Sequence, residues 1–431
     1  MKTATANGLE LWGGVECTVN RVGNRFFNQL ERSGHWHRDS DLDRFAELGL
    51  RTLRFPVVWE TLARTADGEI DWTWSDRRLA RMRELGIRPI AGLLHHGSGP
   101  IGTSLLDPGF PEKFARYAAA VARRYPVLDA YTPINEPLTT ARFSALYGHW
   151  YPHATDLQSF ARAFLIQCRG IILAMRAIRE VRSDAQLIQT EDFGKTFSTP
   201  TLRYQADFEN QRRWLTWDLL SGRFGPKHPL RGYFKSAGIP DSDLDFFSAN
   251  PCPPDIIGAN YYVTSERYLD DDLFSHPPET RGGNGRDDYA DIAAVRSPMQ
   301  EFTGLRSRLA EINRRYGSPI AVTEAHIGCT PDEQMRWLMQ IWNDCRQARD
   351  DGADVRAMTA WSLLGSFDWD SLVTRTEGNY EAGIFDVSGN RFRPTVLTEV
   401  VRGLATNGTF QHPFLAASGW WRRVQELERC A

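Results

Sequence analysis

Eight short apolar runs, separated by amphipathic stretches, constrain the fold of this chain more than any other feature. The runs are Leu9–Val15, Arg51–Val57, Arg88–Leu94, Leu128–Ile134, Ala185–Thr190, Asp255–Asn260, Pro319–Thr323 and Arg356–Trp361. The stretches between them carry apolar residues at helical spacing, as in Ser75–Leu85, Pro111–Tyr125, Ser159–Val181, Arg306–Tyr316 and Pro331–Arg349. Continuously apolar strands that alternate with helices indicate a parallel sheet that is covered on both faces.

Eight such units within 431 residues fit one closed barrel better than an open sheet. A doubly wound sheet would place a GxGxxG turn after its first strand, and no such turn follows Val15. We therefore predict an α/β fold, a (β/α)8 TIM barrel in a single domain, over residues 1–404. Residues 405–431 leave the periodic pattern and are predicted to form a C-terminal extension or linker. The polar segment Asp270–Asp291 is predicted to be a long loop after the sixth strand.

Charge and composition exclude several classes of function. The chain has 51 Lys and Arg against 54 Asp and Glu, a net charge of −3, which gives no electrostatic footprint for nucleic acid or an anionic membrane. No apolar run approaches the ~20 residues that span a bilayer. The start MKTATANGLELWGG lacks the pattern of a signal peptide, and the six cysteines are scattered. These features predict a cytoplasmic protein with reduced thiols, no nucleic-acid or membrane partner, no metal and no cofactor; they indicate no oligomeric state.

Polar residues are concentrated at the predicted C-terminal ends of the strands, which is where barrel enzymes place their active sites. They are Glu16, Arg54, His95, His96, Asn135, Glu136, Glu191, Asp192, Asn260–Tyr262, Glu324 and Trp361. Two carboxylates that face one another across a pocket are what cleavage of a glycosidic bond requires. We predict that Glu136 and Glu324 form this pair, with Glu191 and Asp192 as the substitutes if either assignment is wrong.

Six motifs, in order along about residues 9–398, carry a resemblance to a known family. TPINEP (132–137) resembles the T-x-N-E-P acid/base motif of glycoside hydrolase family 1, and VTEAH (322–326) resembles its nucleophile motif I/V-T-E-N-G. LRFPVVWE (53–60), LLHHGSGP (93–100), IIGANYYVTS (256–265) and WSLLGSFDW (361–369) are similar to the other motifs of the family. The resemblance implies a β-glucosidase-like, retaining β-glycosidase.

The resemblance also implies roles for individual residues in bond cleavage. Glu136 would be the general acid/base and Glu324 the nucleophile. Arg54 would pair with Glu324 and keep it ionised, and Tyr262 would hydrogen-bond to it. Asn135 would bind the 2-hydroxyl of the sugar. The charge of Glu324 and an apolar wall are expected to raise the pKa of Glu136.

The pocket for the sugar ring, the glycone, departs from the family pattern. His95 would contact the sugar and Trp361 would lie under its ring, with Asp368 and Trp369 at the polar edge. The sugar-binding Gln of the family is replaced by Asn20 in a gapless alignment, with Glu16 as the rival position. A Trp becomes His96, a Glu becomes Asp368, and Asn-Gly becomes Ala325-His326.

Because all of these changes concern the glycone, we expect intact bond-cleaving groups and altered sugar specificity. Ordinary glucosides are then expected to be poor substrates. His96 and Arg375 add possible cationic contacts in the altered pocket.

Two other functions remain open on the residues alone. A catalytically weak or inactive barrel could still bind a sugar in the glycone pocket that departs from the family pattern. A metal-dependent barrel hydrolase could use the HWH motif (35–37), although such a motif belongs at the end of the first strand and here lies about twenty residues beyond it. The favoured partner is a small glycoside or an oligosaccharide.

Overall fold

Eight parallel strands close into a barrel in the computed structural model, which describes residues 8–297, 304–389 and 392–422. The strands are β1 (Glu10–Gly14), β2 (Thr52–Pro56), β3 (Arg88–His95), β4 (Ala130–Asn135), β5 (Gln186–Asp192), β6 (Ile256–Tyr262), β7 (Ile320–His326) and β8 (Val355–Ala360). Each pairs in parallel with the next, and β8 pairs with β1 to close the ring. The predicted single-domain (β/α)8 barrel is confirmed, and each run of the sequence pattern became a barrel strand.

A main helix follows each strand and packs outside the barrel. The helices are α1 (Asp41–Glu47), α2 (Thr73–Glu84), α3 (Phe110–Arg124), α4 (Leu157–Val181), α5 (Leu215–Leu220), α6 (Gly304–Tyr316), α7 (Pro331–Asp350) and α8 (Leu397–Asn407). Local sequence signals determine where several of these helices begin. Asp156 caps α4 by accepting a 2.8 Å hydrogen bond from the backbone N–H of Ser159, and Pro331 occupies the first turn of α7.

Shorter elements fill the connections between strands and helices. The additional α-helices are Gln29–Arg32, Trp59–Leu62, Pro137–Ala141, Arg203–Arg212, Arg231–Ser236 and Asp241–Ala249, and Arg142–Leu146 forms a π-helical turn. The 3-10 turns are Pro200–Leu202, Leu273–Ser275, Pro278–Thr280, Ala294–Arg296, Trp369–Ser371 and Pro413–Ala416. Small antiparallel pairs join Val19–Val22 to Arg25–Asn28, Ser366–Phe367 to Tyr380–Glu381 and Phe385–Asp386 to Arg393–Pro394.

Two apolar layers hold the barrel together. Inside it, seven strands contribute one residue each to a small cluster, namely Trp12, Ile90, Ala130, Ile188, Ile256, Ala321 and Ala357. A much larger cluster lies between the strands and the helices, and its members are almost fully buried. The filled interior leaves the C-terminal ends of the strands as the open face of the barrel.

The segment Asp270–Asp291 differs from the predicted long loop. Strands Arg267–Asp270, Arg281–Gly283 and Asp288–Ala293 form a small sheet, and Thr196–Ser198 adds to its edge. The polar composition concealed these strands because one face of the sheet is solvent-exposed. Its other face buries Tyr289 and Leu269 against Leu202.

The C-terminal segment packs back onto α7. Helix α8 continues three residues past the expected boundary at 404 and ends at Gly408, whose φ of 69° suits glycine. Trp421 is buried, its ring lies 5.0 Å from that of Trp337, and its Nε1 donates a 2.8 Å hydrogen bond to Gln340. Residues 423–431 lie outside the described part of the chain, so the expected extension or linker stays a prediction there.

Two further features concern the environment of the chain. Among the described residues, no helix is long and apolar enough to cross a membrane. Cys17, Cys168, Cys252, Cys329 and Cys345 are all free thiols.

Candidate active site

A cavity of about 480 Å³ opens at the C-terminal ends of the barrel strands. Its charged lining comprises Glu16, Glu136, Arg142, Asp192, Arg296, Glu324, Asp370 and Glu381, with His96 and His326 beside them. Its rings are those of Phe143, Tyr262, Trp361, Trp369 and Trp420. Both predicted catalytic carboxylates therefore face one cavity.

Glu324 lies near the end of β7, where the pairing register with β6 is irregular between Val322 and Glu324. Its side chain is 3% exposed and is held from two sides. Oε1 accepts a 2.8 Å hydrogen bond from Arg54 Nη1, and Oε2 accepts a short hydrogen bond from the Tyr262 hydroxyl. Arginine and tyrosine donors at both oxygens fix the carboxylate in one orientation.

Glu136 follows β4 directly and begins the short helix Pro137–Ala141. Its backbone is left-handed, with φ 45° and ψ 61°, a conformation that few residues other than glycine adopt. Its Oε1 accepts a 2.6 Å hydrogen bond from Asn260 Nδ2, and its Oε2 lies 3.8 Å from His96 Nε2. Asn260 is in turn fixed by Thr323, whose hydroxyl donates to its Oδ1 at 2.6 Å.

The two carboxyl groups differ in their tendency to hold a proton. Burial, together with the negative charge of Glu324, raises the pKa of Glu136 well above its usual value of 4.5. Burial also raises the pKa of Glu324, while the Arg54 charge and the Tyr262 hydrogen bond oppose that rise. Arg54 therefore favours the ionised form of Glu324, as expected, but burial acts in the opposite direction. Glu136 is the group better suited to hold a proton near neutral pH.

Asn135 connects the catalytic groups to the two histidines. Its Oδ1 accepts hydrogen bonds from Arg54 at 2.9 Å and from Thr190 at 2.8 Å. Its Nδ2 lies 3.3 Å from Nε2 of both His95 and His96. We call Arg54, Asn135, Glu136, Tyr262 and Glu324 the catalytic floor, after the roles that the sequence predicts for them.

His95 and His96 are both buried, which favours the neutral form of each imidazole. Burial lowers the pKa of His95 well below its usual value of 6.5, and burial with the nearby Arg54 charge lowers that of His96 to about 3. The expected cationic contact from His96 is therefore absent near neutral pH. Arg375 is exposed on the surface, 3.0 Å from Glu377.

The aromatic side of the cavity is built on Trp361. Its ring is stacked on His95, with centroids 5.7 Å apart and planes at 6°, and the Arg54 guanidinium lies 5.0 Å from its centroid. Gly14 makes room for it, because a Cβ there would lie 2.5 Å from the indole ring. Trp369 also lines the cavity, and its Nε1 is buried without a hydrogen-bond partner among the described residues.

The remaining predicted glycone residues are arranged differently from the expectation. Asn20 is fully buried and donates its Nδ2 to the Val373 carbonyl at 3.0 Å, and it does not line the cavity. Glu16, the rival position, does line it. Burial raises the pKa of Glu16 to about 7, although the hydrogen bond from Thr18 lowers it.

Asp368 also points away from the cavity. It is 1% exposed, forms an ion pair with Arg32, and accepts a 2.9 Å hydrogen bond from the backbone N–H of Asn379. Its backbone is left-handed, with a φ of 58°, as is that of His96. We call Glu16, Asn20, His96, Asp368 and Trp369 the glycone edge.

Several residues of the cavity were not among the predicted site residues. Asp192, at the end of β5, had a signal and was named only as a substitute carboxylate, whereas Glu381 had none. Glu381 reaches the cavity from the strand Tyr380–Glu381 and lies 3.1 Å from His326. Glu191, the partner of Asp192 in the substitute pair, is instead fully buried and accepts hydrogen bonds from Leu138 and Thr216.

The histidine motif considered for a metal lies elsewhere. His35 is fully buried and its Nδ1 is 2.8 Å from Asp41 Oδ2, beneath the first helix. Among the described residues, no three His, Cys, Asp or Glu side chains come together in a way that could hold a metal ion.

The chain is similar to known proteins over most of its length. The family model for glycosyl hydrolase family 1 matches residues 28–378. Beta-glucosidase 47 of Arabidopsis thaliana is 25% identical, over 91% of this chain and 78% of that protein. A bifunctional beta-D-glucosidase/beta-D-fucosidase of Bifidobacterium breve is 27% identical, over 78% of this chain and 80% of that protein.

A solved structure has the same fold. The beta-glucosidase from Thermotoga maritima in complex with cyclophellitol superposes with a TM-score of 0.73 at 15% identity, covering 95% of this chain and 99% of that one. The family match covers well over half of the sequence and includes both carboxylates of the cavity. The chain therefore belongs to glycosyl hydrolase family 1 and is a glycoside hydrolase of the β-glycosidase type.

Proposed function

We propose that the protein hydrolyses a β-O-glycoside by double displacement, with Glu324 as nucleophile and Glu136 as general acid/base. In the first step Glu324 attacks the anomeric carbon, and Glu136 gives its proton to the oxygen of the leaving group. In the second step Glu136 takes a proton from water, which attacks the same carbon and releases Glu324. The configuration at the anomeric carbon is then retained.

One observation carries this proposal: two buried carboxyl groups in one cavity are held by opposite kinds of environment. Glu324 accepts from a cation and a hydroxyl, which favours the ionised form that a nucleophile needs. Glu136 accepts from the neutral amide of Asn260, and burial and the Glu324 charge favour its protonated form. When Glu324 becomes esterified its charge is lost, so the pKa of Glu136 falls and Glu136 becomes a base.

The sugar is proposed to lie on Trp361 with its reactive carbon near Glu324. Trp361 offers an apolar face beside Arg54 and Asn135, and His95 packs behind it. Two relatives are named for glucoside cleavage and one of them also for fucoside cleavage. Because the glycone edge here carries Glu16 in the cavity and has Asp368 turned away, we propose that glucose is not the preferred sugar.

Replacing Glu324 tests the proposal directly. Glu324→Ala should lower kcat by roughly 10⁵–10⁶-fold, the loss expected when an essential nucleophile is removed. Azide or formate should restore turnover and yield a product of inverted configuration, since the small anion enters the space of the missing carboxylate. The matched control is Glu60→Gln, a partly buried carboxyl outside the cavity. Ordinary turnover by Glu324→Ala without an added anion would refute the assignment.

The two alternatives make different predictions. A sugar-binding barrel without catalysis would bind glycosides but cleave none of a panel of aryl β-glycosides (gluco, galacto, fuco, glucurono and 6-phospho). A metal-dependent hydrolase would lose activity in EDTA or dipicolinate and regain it with zinc. We expect cleavage of at least one glycoside and no change with either chelator.

A further inference from the structure

Two arginines line the cavity and have no ion-pair partner among the described residues. Arg142 lies on the π-helical turn Arg142–Leu146, and Arg296 lies at the end of the 3-10 turn Ala294–Arg296. No carboxylate among the described residues lies within 4.0 Å of either guanidinium, in contrast to Arg32 and Arg54. The Nε of Arg142 is buried and has no hydrogen-bond acceptor in the described part of the chain. A guanidinium that faces a cavity in this way is suited to bind an anionic group of a ligand.

Arg142 belongs to the side of the cavity where the leaving group must lie. Glu136 gives its proton to the oxygen that links the sugar to the leaving group, so the leaving group extends past Glu136. The chain that follows Glu136 lines the cavity with Thr139, Arg142 and Phe143. The sugar is proposed to lie on the other side, at Trp361, which follows β8.

Arg296 reaches the same cavity from the connection after β6, and the C-terminal segment holds it in place. Its guanidinium carbon lies 4.8 Å from the centroid of the Trp420 ring. The backbone N–H of Trp420 donates a 3.2 Å hydrogen bond to Glu333, and the adjacent Trp421 is buried. The exposed Arg296 side chain thus packs on the ring of Trp420, which these contacts hold at the cavity wall.

We propose that Arg142 and Arg296 form a subsite for an anionic group, a carboxylate or phosphate, on an aromatic leaving group. The rings of Phe143 and Trp420 line the same cavity and supply apolar surface for the aromatic part. The guanidinium groups donate charge-assisted hydrogen bonds to the anion. This subsite deepens the proposed glycosidase function and rests on it.

A simpler explanation is that Arg142 only balances the charges of its neighbours. Its charge lowers the pKa of Glu191 and of Asp192, although burial raises both. If this were its whole role, replacing it would affect all substrates alike. A subsite for an anion predicts instead a loss that depends on the charge of the leaving group.

Matched substrates separate these explanations. We would compare the 4-carboxyphenyl β-glycoside with its methyl ester, using a sugar that the enzyme cleaves. The wild type should favour the carboxylate, and this preference should fall at high ionic strength. Arg142→Gln and Arg296→Gln should each lower the carboxylate-to-ester ratio of kcat/KM by about 10-fold, mainly through KM, which corresponds to the loss of one charge-assisted hydrogen bond.

Control measurements make the outcome decisive. Arg375→Gln removes an exposed arginine outside the cavity and should leave the ratio unchanged. A ratio that stays constant in Arg142→Gln and Arg296→Gln overturns the subsite. A 6-phosphoglycoside with a neutral leaving group provides the second arm. If the arginines govern preference for that compound alone, the anion belongs to the sugar and the proposal is wrong.

Binding without turnover separates failure of the subsite from failure of the proposed function. Calorimetric titration with 4-hydroxybenzoate and with its methyl ester should show tighter binding of the acid to the wild type. Arg142→Gln should abolish that difference. If no glycoside is cleaved but the difference is present, the catalytic proposal fails and the subsite stands; if glycosides are cleaved and the difference is absent, the reverse holds.

Discussion

The catalytic floor and the glycone edge lie at the same end of the barrel but are built differently. Side chains of the floor project from strand ends and contact one another, as in the chain of contacts from Tyr262 through Glu324 and Arg54 to Asn135. Edge residues come mostly from connecting segments, and two of them, Asn20 and Asp368, are turned to partners outside the cavity. We therefore expect the groups proposed to cleave the bond to be more constrained in position than the groups proposed to recognise the sugar.

After the loss of Glu324, removal of the proposed acid of the floor should have the largest effect. Glu136→Ala should lower kcat/KM for substrates with basic leaving groups by about 10²–10⁴-fold, the usual contribution of general acid catalysis. A dinitrophenyl glycoside needs no protonation, so its first step should continue while hydrolysis of the intermediate slows. Kinetics over a series of phenols of rising pKa measure this. An equal loss across the series would exclude Glu136 as the acid.

The next largest effect concerns a matched pair of neighbouring tyrosines. Tyr262→Phe removes a hydrogen bond to the Glu324 carboxylate and should lower kcat by roughly 10–100-fold. Tyr261→Phe is the control, because its hydroxyl donates to Glu266 at 3.2 Å and its ring stacks on Trp337 outside the barrel. Tyr261→Phe should lower the melting temperature and leave kcat nearly unchanged. Equal kinetic losses in both variants would remove the distinction between the floor and its surroundings.

At the glycone edge we expect a smaller, sugar-dependent effect. The wild type should cleave aryl β-glucosides about 100-fold less efficiently than its preferred glycoside, because two unpaired polar groups cost roughly 1–3 kcal/mol each. Glu16→Gln gives the cavity the donor and acceptor that the family resemblance implies, and should raise kcat/KM for glucosides by about 10-fold. Rates on a panel of sugars measure both expectations.

Two results would contradict this view of the edge. A wild-type kcat/KM of about 10⁴–10⁵ M⁻¹s⁻¹ on a glucoside would lie in the ordinary range for enzymes and would mean that the pocket still accepts glucose. If Glu16→Gln changed kcat/KM by the same factor for every sugar, Glu16 would act through its electrostatic interaction with Glu324. It would then not contribute to the choice of sugar.

The smallest expected effect is a shift of the pH profile. The negative charge of Asp192 raises the pKa of Glu136 and of Glu324, after the larger influence of burial. Asp192→Asn removes that charge, so both groups lose their protons at lower pH. Glu136 must be protonated and Glu324 ionised, so both limbs of the kcat/KM profile should move to lower pH by roughly 0.3–1 unit.

A carboxyl at the other end of the barrel provides the control for this shift. Asp354→Asn removes the partner of Arg356 just before β8 and should leave the profile in place. A profile that moves to higher pH in Asp192→Asn would show that Asp192 contributes a proton or a hydrogen bond rather than a charge.

The same contrast explains which parts of the protein could be predicted from the sequence. Strand positions followed from apolar runs, because a buried parallel strand needs apolar residues on both faces. A strand position in turn fixes the residue at its C-terminal end, so the floor was predictable. The small sheet around Asp288–Ala293 was not, because its exposed face makes the sequence resemble a polar loop.

Positions in connecting segments depend on contacts that no local pattern records. A gapless alignment placed Asn20 at the edge, but the turn after β1 puts Glu16 into the cavity through its hydrogen bond from Thr18. Asp368 is drawn away by Arg32, which lies 336 residues earlier in the chain. Trp420 enters the cavity wall because its neighbour Trp421 is buried against α7.

The left-handed backbone at His96, Glu136 and Asp368 has a consequence for laboratory evolution of this enzyme. Each such residue costs about 1–2 kcal/mol relative to glycine at the same place. A screen that rewards heat resistance alone is therefore expected to enrich glycine at position 136, where the gain in stability would remove the proposed acid. Each round of selection for thermal stability must therefore also select for turnover. Otherwise it is expected to yield a more stable barrel without activity.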